Sequence, residues 1–296
     1  FHTLATNCYN LGLIHDFIPE RLGVWSKESP FWTYKKEYLR RINACLFVSN
    51  NTYSDWKNMV TPCLEKILSR TTIVYPIIDF PTGYCYFQNH KDSLNFERIS
   101  RIIRLSRKSI MIPGASLLQA HKVTEDAIVS CCRVLSGFPG SSIIVTGARV
   151  EDEDRNRAFI LSHLCIKNKV HLVFQTFSGW HYVYRLLENV SVVLCPSLLE
   201  GFGMPVAESI LAGANAVARR NAGMDEAGGS LVRYFSAFDT DFDKVLLHSL
   251  TNSGNQSFLR RESHLRQFSA NHISRLFLEF VIKIHSDGLR ADDYLL

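Results

Sequence analysis

From Ser109 onward, short runs that are apolar throughout alternate with longer stretches whose apolar residues recur every three or four positions. A short, wholly apolar run fits a strand covered on both faces, and the longer recurrence fits a helix with one buried stripe. The pattern predicts strands at 109–112, 142–146, 170–174 and 191–195, and helices at 123–135, 155–165, 180–189 and 205–211. Strand and helix in regular alternation imply a parallel sheet flanked on both sides, a doubly wound α/β domain. The same rhythm, in shorter form, precedes it. Strands are expected at 11–15, 45–49 and 72–75, and helices at 32–42 and 54–60. Periodicity lapses between Pro76 and Leu94, which places a connection between about Pro76 and Lys108. Beyond Ala237 the pattern turns helical, at 245–250, 258–268 and 273–284. The expected organisation is therefore a partial Rossmann-like domain with its connection over 1–108, and a second Rossmann-like domain with C-terminal helices over 109–296.

Composition narrows the class. Hydrophobic residues make up 46% and charged residues 21% of 296 positions, the balance of a chain with a packed core. No apolar run reaches the roughly 18 residues a bilayer span requires. The net charge of +5 is too small and too dispersed to imply nucleic acid as a partner. Basic side chains do cluster, at Arg98, Arg101, Arg104, Arg107 and Lys108 and at Lys35, Lys36, Arg40 and Arg41. Three-residue spacing puts the first set on one helical face, which admits peripheral contact with anionic lipid but fits a solvated face better. The eight cysteines form no Cys-x-x-Cys pair, so they read as reduced core residues of a cytoplasmic protein. No metal is expected: the acidic run Glu151–Asp154 reads as a helix start. The chain begins at Phe1 without a basic-then-apolar leader, which suggests a fragment with no secretory signal.

The chemistry is concentrated in Pro196–Ser209. This stretch follows a buried strand and opens a helix, the place where open parallel sheets bind ligands. Gly201 and Gly203 permit close backbone approach, Pro205 suits the first helical position, and the amides around Gly203 and Met204 lie at the positive end of the helix. Glu200 and Glu208 flank the turn, and a carboxylate accepting from vicinal hydroxyls is a natural holder of a ribose or hexose.

The string Glu200-Gly201-Phe202-Gly203-Met204-Pro205 and Glu208, two glutamates separated by seven residues, resembles the signature of the family-4 (group 1) retaining glycosyltransferases. The similarity extends from Ser109 to Phe235 and includes Ile143–Gly147 and Asn221–Gly229. Upstream, His15-Asp16-Phe17-Ile18-Pro19 resembles that family's His-Asp-x-Ile-Pro strand end, and Cys45–Ser49 with Asn51 and Thr52 its strand ending in Ser. The resemblance implies a GT-B fold of two Rossmann-like domains, the N-terminal, acceptor-side one incomplete. It implies a nucleotide-diphosphate sugar as donor and a glycan, lipid-linked or small-molecule acceptor; no cofactor is expected beside the donor. Glu208 would hold the ribose, Glu200 the donor sugar, and the amides of Phe202–Met204 the sugar or diphosphate. Lys122 would neutralise the leaving diphosphate, and His15 would stand near the sugar. Gly114 ends the first strand of the donor domain. Many members follow that glycine with Arg, whereas Ala115 stands here, so a degenerate binding homologue is the competing expectation. Arg149 is a conceivable substitute cation.

Overall fold

Four short runs, Ala44–Phe47, Ser109–Ile112, Ser141–Thr146 and Val192–Cys195, are buried at every position and form the central strands of two sheets. The structure is a computed structural model and describes residues 10–23, 29–60, 70–79, 90–117, 119–148, 154–252 and 257–286. Two compact units are present. The first comprises 1–77, 200–202 and 266–296, and the second 78–199 and 203–265. Neither is continuous in sequence.

In the first unit, β1 (Leu11–Ile14), β2 (Ala44–Phe47) and β3 (Thr71–Ile73) form a three-stranded parallel sheet in that order. Helices α1 (Ile18–Arg21), α2 (Pro30–Arg41) and α3 (Asn50–Val60) connect the strands. β2 is buried at all four positions and divides its side chains by parity. Cys45 and Phe47 enter a core with Ile14, Phe17, Trp32, Leu39 and Trp56, while Ala44 and Leu46 face Phe280 of α12 (Ala270–Ser286). The last helix thus covers the sheet face that α2 and α3 leave open.

The second unit carries β4 (Ser109–Ile112), β5 (Ser141–Thr146), β6 (Val170–Gln175), β7 (Val192–Cys195), β8 (Ala216–Arg219) and β9 (Arg233–Phe235). They form one parallel sheet in the order β6-β5-β4-β7-β8-β9, the doubly wound arrangement in which the strand order reverses between β4 and β7. Ile110, Ile112, Ile143, Val145, Val192 and Leu194 face a core completed by α5 (Thr124–Leu135), α6 (Arg155–Lys167) and α10 (Phe242–Thr251). Each such fully buried aliphatic side chain contributes about 1.5–3 kcal/mol of transfer free energy. Met111, Ile144 and Val193 point to the opposite face, where α7 (Trp180–Leu187) and α8 (Met204–Leu211) lie. α8 packs on β7 and β8, and α7 packs on α8 and on α4 (His90–Leu105). α9 (Ala222–Gly228) and α11 (Phe258–Leu265) complete the unit.

The α/β class and the parallel, doubly wound sheet are as the sequence pattern indicates. Among the described residues α1, β8, α9 and β9 escape that pattern. A helix, α4, occupies much of the stretch expected to be a connection. The expected helix over 258–268 ends at Leu265 and closes with a 3-10 turn, Arg266–Phe268, at the point where the chain passes back to the first unit. Cys45, Cys131, Cys132, Cys165 and Cys195 are buried as reduced thiols, and burial pushes those of Cys45 and Cys165 up to about 12, so these two stay protonated.

Candidate functional site

In the second unit the strand order reverses between β4 and β7, and the carboxyl ends of strands at such a switch point are where open α/β sheets take their ligands. After β4, Gly114 takes φ +60°, and after β5, Gly147 takes φ +91°. A methyl on Gly147 would stand 3.2 Å from the Gly114 Cα, and one on Gly114 would touch the Pro205 ring at 3.5 Å. Two left-handed glycines therefore leave bare backbone beside the mouth of α8. Gly114 itself is solvent-exposed.

The loop after β4 is closed by its own hydroxyls. Thr124 Oγ1 donates to Ser116 O at 2.8 Å and accepts from Ser116 N at 3.2 Å, and Gln119 N donates to Ser116 Oγ at 3.2 Å. The loop ends in a 3-10 turn, Ala120–Lys122, and Val123 then takes a left-handed conformation at φ 42° to enter α5. For a β-branched residue this is a strained position, of a kind found where a loop is held in place for a purpose. Leu198 N donates to His121 O at 2.7 Å, so the lysine turn is tied to the loop leaving β7. Lys122 thus lies one residue from that anchor, at the switch point.

Gly203 forms the N-cap of α8 at φ +94°, with Met204 and Pro205 as the first two helical residues, so the proline is second rather than first. An added methyl on Gly203 would sit 3.2 Å from both Gly223 O and Met224 Sδ. Met224 is held in turn by Asn221, which caps α9: Met224 N donates to Asn221 Oδ1 at 3.0 Å, and Asn221 Nδ2 donates to Ser197 O at 3.1 Å. Glu208 lies in the second turn of α8. Its Oε1 accepts a hydrogen bond from Trp180 Nε1 at 2.9 Å, and burial raises its pKa against the lowering effect of that bond.

The tripeptide Glu200–Phe202 belongs to the first unit. Asn51 Nδ2 donates to Glu200 O at 2.9 Å, Ser49 Oγ donates to Gly201 O, and Thr52 Oγ1 lies 3.1 Å from His15 O. A methyl on Gly201 would overlap His15 O at 2.2 Å, so only glycine fits. His15 and Glu200–Gly201 are therefore brought together at the carboxyl ends of β1 and β2. The His15 side chain is exposed, and Asp16 Oδ1 accepts from Ile18 N at 3.0 Å to start α1. Phe202 is 3% exposed, with its ring 5.6 Å from Tyr75 and 5.1 Å from Phe268. Its side chain is core; only its amide remains for a ligand.

Several other candidates are spent elsewhere. Lys35 pairs with Glu20 at 2.6 Å and donates to Asp16 O, and Arg41 pairs with Glu37. Lys108 Nζ donates to Leu250 O at 2.6 Å, and Arg98 reaches Gln175, while Arg101 and Arg104 are exposed. Two Asp-x-Asp tripeptides, Asp239–Asp241 and Asp241–Asp243, are engaged: Asp241 accepts from Ser236 N and Thr240 Oγ1, and Asp243 pairs with Arg133. Among the described residues no group of three His, Cys, Asp or Glu side chains could hold a metal. Arg149 and Glu151–Glu153 lie outside the described residues. Among the described residues no helix is long and apolar enough to cross a membrane. Ala115 is 6% exposed and packs into the main core, so the position expected to carry a cation points inward here.

Sequence reasoning passed over Trp180 and the trio Ser49, Asn51 and Thr52 as site residues. The trio had a signal, the Ser-x-Asn-Thr string after β2. Trp180 had only its place, a donor-bearing ring just past the end of β6.

With this geometry in view, the fold is the GT-B type, α/β with two Rossmann-like units. Residues 96–236, which include the switch point between β4 and β7, match the family of glycosyl transferases group 1. The chain is similar to α,α-trehalose 6-phosphate synthase from Burkholderia multivorans, with 11% identity over 93% of this chain and 67% of that one and a TM-score of 0.68. It is similar to sucrose-phosphate synthase from Thermosynechococcus elongatus, with 13% identity, 95% and 69% coverage and a TM-score of 0.65. TarM matches with 13% identity, 93% and 50% coverage and a TM-score of 0.64. At these identities the likeness is one of fold, and the chain spans between half and about two thirds of these structures. No curated protein matches the sequence.

Proposed function

We propose that this chain is the donor-binding part, with a portion of the acceptor side, of a retaining glycosyltransferase of family 4 that uses a nucleotide-diphosphate sugar. The observation that carries the reading is the set of backbone features at the second unit's switch point. Bare backbone at Gly114, the lysine turn and the N-terminus of α8 converge there, with Glu208 in the second turn. A pyrophosphate fits the helix mouth, where backbone amides and the helix dipole favour negative charge. Glu208 accepts from the ribose hydroxyls, and Lys122 neutralises the charge that grows on the leaving diphosphate. The reading assigns the donor-sugar contacts to Glu200 and His15, and the amides of Gly201, Phe202, Gly203 and Met204 to sugar and phosphate. The residues themselves supply the polar groups, and no metal is assigned.

A structure of S. aureus TarM holds UDP and α-GlcNAc-glycerol, which supports a nucleotide donor and a glycan, lipid-linked or small-molecule acceptor for this chain. The reading places the protein in the cytoplasm, with any membrane contact peripheral. One observation favours a second reading, a homologue that binds nucleotide sugar without turnover: buried Ala115 supplies no cation.

Calorimetric titration with UDP, ADP and GDP, on wild type and Glu208→Ala, tests the assignment. One of the three binds wild type, and the variant loses at least tenfold in affinity, the order expected for a lost pair of charged hydrogen bonds. Equal binding by wild type and variant refutes the site. Incubation of the full-length protein with labelled UDP-, ADP- and GDP-sugars then separates the readings. Donor hydrolysis or transfer supports the enzyme, and binding without either supports the homologue.

A further inference from the structure

Trp180 is the residue in this region whose presence neither the fold nor the signature explains. Its indole N–H is spent on one oxygen of Glu208 at 2.9 Å. An indole can only donate, so the bond favours the ionised carboxylate and opposes the burial that would protonate it. The ring is itself held from both sides. It opens α7 directly after Ser178 and Gly179, and it packs on Tyr184 one turn later, at 5.2 Å between ring centroids. Ser178 is pinned by Asp92, near the start of α4: the Ser178 N–H donates to Asp92 Oδ2 at 2.9 Å, and the Ser178 hydroxyl donates to the same oxygen. Asp92 is 6% exposed. α4, the Ser178 turn, Trp180 and Glu208 thus form a continuous chain of hydrogen-bonded or covalently adjacent groups.

A carboxylate at the end of a glutamate side chain rotates freely about its last bond unless one oxygen is fixed. A ribose offers two vicinal hydroxyls at a set spacing, and an unfixed acceptor loses rotational freedom on meeting them. Fixing Oε1 in advance removes that loss, as outer hydrogen bonds do for metal ligands. We propose that Trp180 is a positioning residue for the donor nucleotide: it anchors Oε1 of Glu208, so that the carboxylate is set to accept from the ribose hydroxyls. The inference rests on the reading of Glu208 as the ribose holder. It adds that recognition of ribose over deoxyribose is set from α4 and α7, outside the family signature.

Calorimetric titrations with UDP, ADP and GDP and their 2′-deoxy counterparts test this on wild type, Trp180→Phe, Glu208→Gln and the double variant. Wild type prefers the ribonucleotide about tenfold or more, and Trp180→Phe reduces that preference about fivefold with little change for the deoxynucleotide. Trp180→His, which keeps a ring N–H, recovers part of the loss, and Trp180→Phe adds nothing in the Glu208→Gln background. A purely structural role would instead weaken both nucleotides equally; that result, or an unchanged preference, overturns the inference while leaving the site intact. If Glu208→Gln leaves the preference untouched, or none of the three nucleotides binds, the reading of Glu208 falls and takes the inference with it. Should Trp180→Phe not fold, indole ¹⁵N–¹H spectra of the wild type decide, with Trp180→His giving the assignment. Nucleotide binding that leaves the Trp180 resonance unmoved overturns the proposal.

Discussion

Gly203 and Gly140 both hold left-handed backbone, at φ +94° and +81°, yet an added methyl group would meet different surroundings at the two sites. At Gly140 nothing lies within 4 Å. At Gly203 the methyl would stand 3.2 Å from Gly223 O and Met224 Sδ and 3.3 Å from the Met224 Cα. The Gly223–Met224 backbone has little room to retreat, because Asn221 caps it and is bonded in turn to the loop leaving β7. Gly140→Ala therefore isolates the conformational cost, about 1–2 kcal/mol. Gly203→Ala adds overpacking of about 1–3 kcal/mol. Both glycines belong to the second unit, so urea unfolding of that unit compares them directly. With a slope near 2 kcal/mol/M, the Gly203→Ala midpoint falls below that of Gly140→Ala by about 0.5–1.5 M. Nucleotide affinity drops with it, since α8 must shift to make room. Equal midpoints, or a milder effect at Gly203, would refute the claim that α9 buttresses the mouth of α8.

Ala115→Arg, which would supply the cation expected from the family resemblance, should lower stability by roughly 2–4 kcal/mol, because the new side chain enters a filled core. A melting temperature within 2 °C of wild type, on the scale expected for a change under about 1 kcal/mol, would contradict this. Burial raises the pKa of Glu208, so the stability this group contributes is full below its unfolded value, about 4.3, and declines as pH rises through the folded value. Glu208→Gln should accordingly raise the melting temperature at pH 7–8, with the gain vanishing near pH 4, while nucleotide binding is lost; a gain that persists at pH 4 would argue against burial as the cause.

The strands and helices with strong periodicity were legible because their burial is local: Ser109–Ile112 and Ser141–Thr146 are buried at every position. β8 and β9 were not, since Ala-Val-Ala-Arg and Arg-Tyr-Phe are short and mixed, and only pairing with neighbouring strands makes them strands. α9 is rich in glycine, which masks a helix; its one clear sign was Asn221, a good capping residue three positions before Met224. The arginine spacing over 98–107 did indicate a helix, but the connection drawn around it hid the role of Asp92. The signature around Glu200 could be read as one loop. That its first three residues pack with His15 and Ser49, and the rest with the second unit, depends on contacts about 150 positions apart, which no local pattern reports.

That split has a practical consequence for anyone dissecting the molecule. Tyr75 finds its ring neighbours Phe202 and Phe268 far along the polypeptide, so a clone ending near residue 77 would leave a hole where two aromatic plugs belong. Substitutions at Gly201 or Phe202 will for the same reason resemble active-site lesions in an assay while acting first as folding defects, and soluble yield should be measured before any rate is interpreted.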